Sequence, residues 1–480
     1  MDLRPVANVI GKVVAVVGLA MLVPMAVDLG RGDAHWTAFF ASSLVVTLAG
    51  VLIALATHST DRALNLRQSF VLTSGVWLVL PAVGAIPFML GAPGASLTDA
   101  YFEAMSAMTT TGATAFPDLD ALPWGTNLWR GILQWLGGLG ILVVALIFLP
   151  VMKVGGMQFF KSEGFDTLGK ILPRAMDISA EMTRVYVMLT VACGFTFLFL
   201  GMTPFDALMH ALTTMSTGGM SNYNASFGAY IGPNEYAASV FMILAAMPFV
   251  RFVQVLKGDP LPLWRDPQAR AFLRWHAYAI GLILAYRLIR HEADFWPSLR
   301  EITFNVVSAF SGTGFGSTDV TQWGHMAFVV LIVVGLIGGC TNSTGCSVKV
   351  FRYQILFQAV RAQIRRMHSP HRIYPVRYGG QVVEPDVINS VMAFFSIFIL
   401  SFGLLIVALS LTGMDSFTAF TCAWTSIANV GMVWGPGLTS NGSVAQLPEV
   451  AKWLMIAGMF LGRLELLSVL VLLLPRFWRD

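Results

Sequence analysis

The stretch FEAMSAMTTTGATAF at residues 102–116 begins as an apolar helical run and ends in Thr, Gly and Ala. The stretch FNVVSAFSGTGFGST at 304–318 repeats this pattern without a gap. ALMHALTTMSTGGMS at 207–221 and CAWTSIANVGMVWGPG at 422–437 are two more divergent copies. A helix that crosses a hydrocarbon layer needs about 20 residues, so these helical runs are too short to span it. Four copies of such a run predict one structural unit that is used four times around an axis.

The alignment of the four copies places a glycine at one common point in each unit. Glycine accepts positive φ, so it allows backbone carbonyl groups to turn toward a common centre. The alternative interpretation is close packing of helices, but packing glycines recur at helical spacing inside long spans. We align the units at Thr111-Gly112, Thr217-Gly218, Thr313-Gly314 and Val430-Gly431.

The composition is typical of a membrane protein. Apolar residues make up 56% of the chain and charged residues 12%, against about a quarter charged in ordinary globular proteins. The mean hydropathy is +0.70, and no large polar domain separates the apolar stretches. We predict an all-α polytopic membrane protein with ten spans. They lie at about 6–28, 36–57, 69–91, 126–152, 182–203, 234–256, 272–293, 323–350, 388–412 and 449–475.

The spans and short runs divide the chain into five segments. Each unit is expected to contain a span, a short helix, a glycine-bearing loop and a second span. We predict four pseudo-symmetric units of this kind around one pore, preceded by two extra transmembrane helices. The predicted segments are 1–65 for the N-terminal helices, 66–175, 176–265 and 266–380 for units 1 to 3, and 381–480 for unit 4.

The basic residues are distributed unevenly over the predicted loops. Most of the 30 Lys and Arg residues fall on one side of the membrane, in the groups 153–184, 251–274 and 349–377 and near both termini. The positive-inside rule places that side, and both termini, in the cytoplasm. The basic loops are therefore interpreted as topology signals and docking surface, and no nucleic-acid partner is expected.

The loops that follow the short helices are expected to line one aqueous path. Non-helical backbone at membrane depth must face protein or water, because an unpaired carbonyl group in hydrocarbon costs several kcal/mol. These loops carry hydroxyl groups but no Asp or Glu. Neutral oxygens suit a weakly hydrated monovalent cation, whereas a calcium or magnesium site would call for carboxylates.

Two other classes of function fit the sequence less well. A secondary transporter with broken helices predicts two inverted halves and ionisable residues near a midplane site. A membrane enzyme needs a convergent set of titratable groups at one depth, and the sequence offers none. Transport of K⁺ or Na⁺ coupled to H⁺ or Na⁺ stays open as an alternative to passive flux.

Several motifs resemble one known family. TTTGATAF, STGGMSNY, SGTGFGST and ANVGMVWGPG resemble the four selectivity loops of the Trk/Ktr/HKT potassium-transporter superfamily. QWLGGLGI (134–141), IGGCTNSTGCSVKVFR (337–352) and FLGRLELL (460–467) resemble its bacterial Trk branch. The resemblance covers residues 69–475 and implies potassium uptake across the bacterial inner membrane. The selectivity-filter residues that it implies are Thr110, Thr111, Gly112, Ser216, Thr217, Gly218, Gly312, Thr313, Gly314, Asn429, Val430 and Gly431.

The resemblance also implies partners. It predicts a homodimer in the lipid membrane and a cytoplasmic ring of nucleotide-binding regulatory subunits. The sequence itself has no nucleotide-binding motif, so nucleotide control is expected to come from that regulatory partner. No cofactor is expected in this chain, and K⁺ at the filter residues is the transported ion.

A gate is predicted where the second span of unit 3 contains Gly338, Gly339 and Gly345. Relatives commonly carry a run of glycines where this chain has Gly345-Cys346-Ser347. One interpretation is a glycine-weakened helix end; the favoured one is a loop that interrupts the span and blocks the path.

Arg463 is predicted to lie halfway along the last span, where an arginine costs about 2.5–3.5 kcal/mol. A pair with Glu465 within one helix is disfavoured, because residues two apart point to different faces. We expect the Arg463 side chain to hold the gate loop by hydrogen bonds to the backbone carbonyl groups of the loop.

Overall fold

The computed structural model describes residues 1–58, 64–147, 156–157, 171–290, 294–439 and 441–479. Within these ranges the chain is helical, and its one sheet is an antiparallel pair of two-residue strands, Arg377–Tyr378 and Gln381–Val382. The prediction of an all-α polytopic membrane fold is confirmed.

The N-terminal part is a helical hairpin. α1 (Arg4–Ala20) continues into α2 (Leu22–Gly30), and α3 (Trp36–Ala56) returns beside them. A Cβ at Gly11 or Gly50 would overlap main-chain atoms of the opposite helix. Glycines thus allow α1 and α3 to touch backbone to backbone, which favours helix association in lipid. The hairpin packs against the first of four repeated units.

Each of the four units has a first span, a short helix and a second span. Unit 1 contains α4 (Leu66–Gly84), α5 (Ile86–Leu90), α6 (Leu97–Met108) and α7 (Trp124–Ile147). Unit 2 contains α8 (Ile171–Phe199), α9 (Pro204–Met215), α10 (Pro233–Ala245) and α11 (Phe249–Leu256), followed by the connecting helix α12 (Leu261–Arg265). Unit 3 contains α13 (Pro267–Ile289), α14 (Phe295–Ser311), α15 (His325–Ile337) and α16 (Val350–His368). Unit 4 contains α17 (Pro385–Ser410), α18 (Ser416–Ala428), α19 (Glu449–Arg463), α20 (Leu467–Leu470) and α21 (Pro475–Trp478).

The four short helices are α6, α9, α14 and α18, and we call the face at which they begin the outer face. Polar N-cap side chains fix three of these starts by accepting backbone N–H groups. The capping residues are Ser96, Thr203 and Asp415. Phe304 and Trp424 on the short helices are completely buried. The C-terminal ends of all four short helices therefore lie inside the protein, where their partial negative charge favours cations.

The second span of unit 3 is interrupted, as the sequence predicts. α15 ends at Ile337 and α16 begins at Val350, and residues 338–349 between them are not helical. We call residues 338–349 the interrupting loop.

Two further second spans, which were predicted at about 234–256 and 449–475, are also interrupted, and the sequence analysis predicted neither break. α10 and α11 meet at an angle of 95°. The chain bends by 103° after Arg463, at the end of α19. Pro248 lies in the first break, and its lack of an N–H group is a local reason for the end of α10.

Described helices lie at the positions of all ten predicted spans. By length and apolar composition, five of them can each cross a membrane, or seven if each bent pair is one span. The other three predicted spans correspond to α7, α13 and α15. Some parts of the predicted spans, such as 148–152, lie outside the described residues.

Candidate ion-conduction site

Four re-entrant loops follow the short helices, at residues 109–116, 216–222, 311–318 and 429–437. The chain leaves the short helices in a common way. In loop 1 the N–H groups of Thr111 and Gly112 both donate to the carbonyl oxygen of Ser106, at N···O distances of 2.8 and 3.4 Å. Loops 2 and 3 repeat this pair of bonds. A left-handed residue makes each turn: Thr110 (φ 52°), Thr217 (51°), Gly312 (79°) and Asn429 (53°).

A second left-handed residue lies two positions later in each loop. These residues are Gly112 (φ 92°), Gly219 (70°), Gly314 (86°) and Gly431 (90°). The sequence alignment, which put Gly218 at this point of loop 2, is therefore wrong by one residue. Because Thr217 takes the conformation of Thr110, Gly218 corresponds to Thr111. Two adjacent glycines made the register of loop 2 ambiguous in the sequence.

The four left-handed glycines close a ring. A Cβ on any of them would overlap a backbone carbonyl oxygen of the next loop. The contacting pairs are Gly112 with Gly218, Gly219 with Thr313, Gly314 with Val430, and Gly431 with Thr111. This order runs once through the four loops and returns to the first. The loops therefore surround one axis, and the ring brings the predicted residues of all four units together, with Gly219 added.

Ser216 is the predicted residue that lies outside this arrangement. It is the C-cap of α9 in a helical conformation, and its hydroxyl donates to the carbonyl oxygen of Thr213 at 3.2 Å. Ser216 corresponds to Thr109 of loop 1, one residue before the turn.

Two side chains hold the ring from behind: Gln134, which the sequence analysis did not single out, and Asn429, which is a predicted filter residue. The amide of Gln134 on α7 donates to the carbonyl oxygen of Gly218 at 2.7 Å and accepts the N–H of Met220 at 3.2 Å. Asn429 donates to the hydroxyl of Thr111 at 2.9 Å, which links loop 4 to loop 1. A glutamine inside the apolar run QWLGGLGI was the available signal, since a buried amide needs partners.

A cavity of about 160 Å³ lies on the outer side of the ring and is lined by its four glycines. It leads to a funnel of about 950 Å³ that Asp319 helps to line. Burial acts to raise the pKa of Asp319, but hydrogen bonds from Thr321 and Gln322 outweigh it and lower the pKa. An ionised carboxylate at the mouth attracts cations toward the ring.

The ring itself offers neutral oxygens. The loops contain carbonyl and hydroxyl groups but no acidic side chain. In the described part of the chain, no group of three or more His, Cys, Asp or Glu side chains could hold a metal ion. Such an arrangement can replace the water around a monovalent cation without binding it too tightly to leave.

The interrupting loop lies on the inner side of the ring and contacts the ends of all four short helices. Cys346 Sγ is 3.5 Å from the hydroxyl of Thr110 in unit 1. The hydroxyl of Thr344 donates to the carbonyl oxygen of Met215 in unit 2, at 3.2 Å. A Cβ on Gly345 would lie 3.2 Å from the Ser311 carbonyl oxygen in unit 3. In unit 4, the hydroxyl of Ser347 donates to the carbonyl oxygen of Ala428, at 2.9 Å. The loop therefore covers the inner end of the axis.

The break between α10 and α11 supplies partners for the interrupting loop. The N–H groups of Cys340 and Thr344 donate to the carbonyl oxygens of Ala246 and Ala245, at 2.9 and 3.2 Å. Carbonyl groups that a continuous helix would use internally are thus used to hold the loop. The predicted residues Gly338, Gly339 and Gly345 all lie in this loop. Gly338 (φ 76°) ends α15, and Gly339 and Gly345 pack against each other.

Arg463 contacts the interrupting loop, but not from the middle of a helix. It is the last residue of α19 and is 4% exposed. Its Nη1 donates to the carbonyl oxygen of Thr344 at 3.3 Å and contacts Cys346 Sγ. Among the described residues its Nε and Nη2 have no hydrogen-bond partner. The guanidinium group therefore adds one positive charge to the inner end of the axis.

A buried ionic cluster fixes the far end of the interrupting loop. Glu465 lies in the bend after α19 and accepts from Lys349 Nζ at 3.0 Å and from Arg352 Nη2. The three side chains are almost completely buried. Glu465 therefore forms its ion pairs with two residues of unit 3, and no ion pair joins it to Arg463 within the described residues.

Comparison with known proteins gives consistent matches over the whole chain. The sequence model of the TrkH family, described as a cation transport protein, matches residues 35–289 and 294–479. The Trk system potassium uptake protein TrkI of Halomonas elongata is 38% identical over 99% of this chain and 97% of its own. TrkH of Escherichia coli K12, also a Trk system potassium uptake protein, is 32% identical over the full length of both. The crystal structure of the potassium transporter TrkH from Vibrio parahaemolyticus superposes with a TM-score of 0.92 at 31% identity, covering 100% of each chain.

Proposed function

The chain belongs to the TrkH family of cation transport proteins, and from this premise we propose that it takes up potassium through the ring of re-entrant loops. The interrupting loop acts as the gate of this path, and a cytoplasmic partner regulates it. The observation that carries the proposal is the closed order of contacts from Gly112 through Gly219, Gly314 and Gly431.

The geometry of the ring supports a selectivity filter. Left-handed glycine allows the backbone to turn a neighbouring carbonyl group toward the axis, and the next loop fills the space that a side chain would need. Rings of backbone carbonyl groups replace the hydration shell of K⁺ in other channels. We assign the filter to residues 110–112, 217–219, 312–314 and 429–431, with Ser216 behind the second loop.

The contacts of the interrupting loop support its assignment as the gate. It lies across the axis, and Arg463 places a positive charge beside it. A cation that passes inward must therefore displace residues of the loop. Cys340 and Val348 pack into apolar clusters, but the part of the loop between them is held by hydrogen bonds, so its displacement costs less than unfolding a helix.

The proposal includes partners and location. The chain forms a homodimer in the lipid of the bacterial inner membrane, with both termini in the cytoplasm and no cofactor of its own. Exposed arginines on α16, among them Arg365 and Arg366, provide a docking surface for a nucleotide-binding regulatory subunit. K⁺ is the transported ion.

Purified protein in a planar bilayer tests the transport proposal. K⁺, Na⁺ and pH gradients are changed one at a time, and the reversal potential is measured. We expect the reversal potential to follow the K⁺ gradient, because the carbonyl ring favours the more weakly hydrated ion. A reversal potential that follows the Na⁺ gradient would contradict potassium selectivity. A shift with pH at constant K⁺ and Na⁺ would instead indicate coupled transport.

A second prediction concerns the docking surface. Replacement of Arg365 and Arg366 by glutamine should weaken binding of the regulatory subunit by about fivefold or less per residue, as expected for exposed charges. Binding should also depend less on salt concentration, because fewer charge contacts remain to be screened. Arg184→Gln, which changes an exposed arginine on α8, serves as the control. Equal binding and equal salt dependence of the double variant and the wild type would remove α16 from the docking surface.

A further inference from the structure

On each short helix, one side chain makes a hydrogen bond to the re-entrant loop that follows it. These side chains lie at, or next to, an equivalent position in the four helices. The bonds to Ser106, Thr213 and Ser308 place Glu103, His210 and Asn305 at equivalent positions. Glu103 accepts the N–H of Ala115 at 2.8 Å, and Asn305 accepts the N–H of Ser317 at 3.3 Å. His210 Nε2 is 3.1 Å from Ser221 Oγ, and Thr421 of α18 accepts the N–H of Trp434 at 3.3 Å. In every unit, the short helix therefore holds the last part of its re-entrant loop, which leads away from the ring. We call this non-helical segment the outgoing strand.

Unit 1 differs because its tie carries a charge. Glu103 is completely buried and pairs with Arg130 on α7, Oε1 to Nε at 2.7 Å. The carboxylate also accepts the hydroxyl of Thr114, at 3.0 Å from each oxygen. The structure places it in a salt bridge.

Arg130 extends this network to the second loop. Its Nη1 donates to the carbonyl oxygen of Ser221 at 2.9 Å and to the side chain of Asn127 at 3.1 Å. Arg130 is 1% exposed and lies at the wall of the 160 Å³ cavity above the ring. One buried ion pair therefore holds the outgoing strands of loops 1 and 2 together.

A buried pair of this kind persists only when both partners are present and fully hydrogen-bonded. Removal of one partner leaves an uncompensated charge in a medium of low dielectric constant. Without Glu103, the positive charge of Arg130 would face the cavity through which cations reach the ring. It would oppose their entry and would also release the strand that Ala115 anchors.

We propose that Glu103 and Arg130 are positioning residues that determine how strongly the pore selects K⁺ over Na⁺ and how well it conducts at low external K⁺. The inference rests on the proposed function of the ring as a filter. Two effects are separable: the hydrogen bonds set the geometry of loops 1 and 2, and the carboxylate cancels the charge of Arg130.

Three variants of the full chain in proteoliposomes test the inference. Glu103→Gln should lower the K⁺/Na⁺ permeability ratio about tenfold, the effect expected when a charged buried hydrogen-bond network is lost. It should also lower conductance at low external K⁺, because Arg130 is then unpaired. In the double variant Glu103→Gln/Arg130→Met conductance should return toward the wild-type value while the ratio stays low. Arg130→Lys keeps the charge but loses the planar fork, so it should lower the ratio and spare conductance.

Glu301→Gln is the matched control. Glu301 lies on α14 and pairs with Arg287 at 3.5 Å, and it bonds to its loop through no side-chain contact among the described residues. We expect this control to keep both the ratio and the conductance.

The outcomes separate the two proposals. If wild-type protein does not select K⁺, the proposed function fails and the inference fails with it. If wild-type protein selects K⁺, and Glu103→Gln matches it in ratio and conductance, only the inference fails. If Glu103→Gln does not elute as a single species in detergent, the Arg130→Lys variant is used instead. An unchanged K⁺/Na⁺ permeability ratio in Arg130→Lys would then overturn the inference.

Discussion

Replacement of Arg463 by alanine is expected to raise resting cation flux through the closed pore. The wild-type guanidinium group donates to the carbonyl oxygen of Thr344 in the interrupting loop. A charge-assisted hydrogen bond of this kind contributes about 1.5–3 kcal/mol, so its loss raises the open population about tenfold to a hundredfold. The variant also removes a positive charge from the inner end of the axis, which lowers the barrier to a cation further. Tracer uptake into liposomes at matched protein content measures the effect.

Three comparisons make this test specific. Deletion of residues within Thr341–Ser347 should raise flux too, while K⁺ selectivity stays near the wild-type value because the ring is unchanged. Arg463→Lys should be intermediate, since it keeps the charge but not the planar fork. Lys452 lies on the same helix as Arg463, α19, and pairs with Asp99 on α6. Lys452→Met removes this ion pair and should leave flux unchanged. Lower flux in both the alanine and the deletion variants, with folding intact, would mean that Arg463 supports the open pore.

The repeated units could be predicted because their signal is local. Each unit contains an apolar helical run that is too short to cross a membrane and is followed by Thr and Gly. In lipid, such a chain is stable only if it re-enters the side of the membrane from which it came. The structure has short helices at the predicted places: α6 (Leu97–Met108) contains the start of the first run at residue 102. The interruption after Ile337 was also readable, because Gly338 and Gly339 weaken a helix end.

The breaks in units 2 and 4 were not predicted, because hydrophobicity alone does not show where an apolar run bends, and Pro248 can either kink or end a helix. The sequence on either side of residues 246–248 is as hydrophobic as a straight span. The helix ends there because Ala245 and Ala246 find hydrogen-bond partners in the interrupting loop. Those partners come from a region about 100 residues away, and propensity does not report such tertiary contacts.

The ionic cluster around Glu465 was missed for a related reason. Lys349 and Arg352 read as the start of a basic cytoplasmic segment, and Glu465 reads as a charge close to Arg463. The bend after α19 turns Glu465 away from that neighbour and toward α16. Charged groups that pair across units are identified only when the bend is known. The same bend leaves Arg463 free to contact the interrupting loop.

Replacement of Gly314 by alanine should weaken the discrimination of K⁺ from Na⁺ strongly. Gly314 has φ 86°, and a Cβ there would overlap the carbonyl oxygen of Val430 in the next loop. A side chain in left-handed backbone costs about 1–2 kcal/mol, so loop 3 should move or turn its carbonyl group away from the axis. We expect the K⁺/Na⁺ permeability ratio to fall about tenfold, as for a change of 1.4 kcal/mol. Bi-ionic reversal potentials in proteoliposomes measure this ratio.

Gly316 in the same loop supplies the matched control. A Cβ at Gly316 meets no described atom within 4 Å, and its φ is not in the left-handed region. Gly316→Ala therefore adds the same methyl group two residues away without strain, and the permeability ratio should stay at the wild-type value. The closed order of contacts also predicts that Gly219→Ala behaves like Gly314→Ala, because it would press on the carbonyl oxygen of Thr313. Equal ratios for the Gly314, Gly219 and Gly316 variants would mean that the ring does not select the ion.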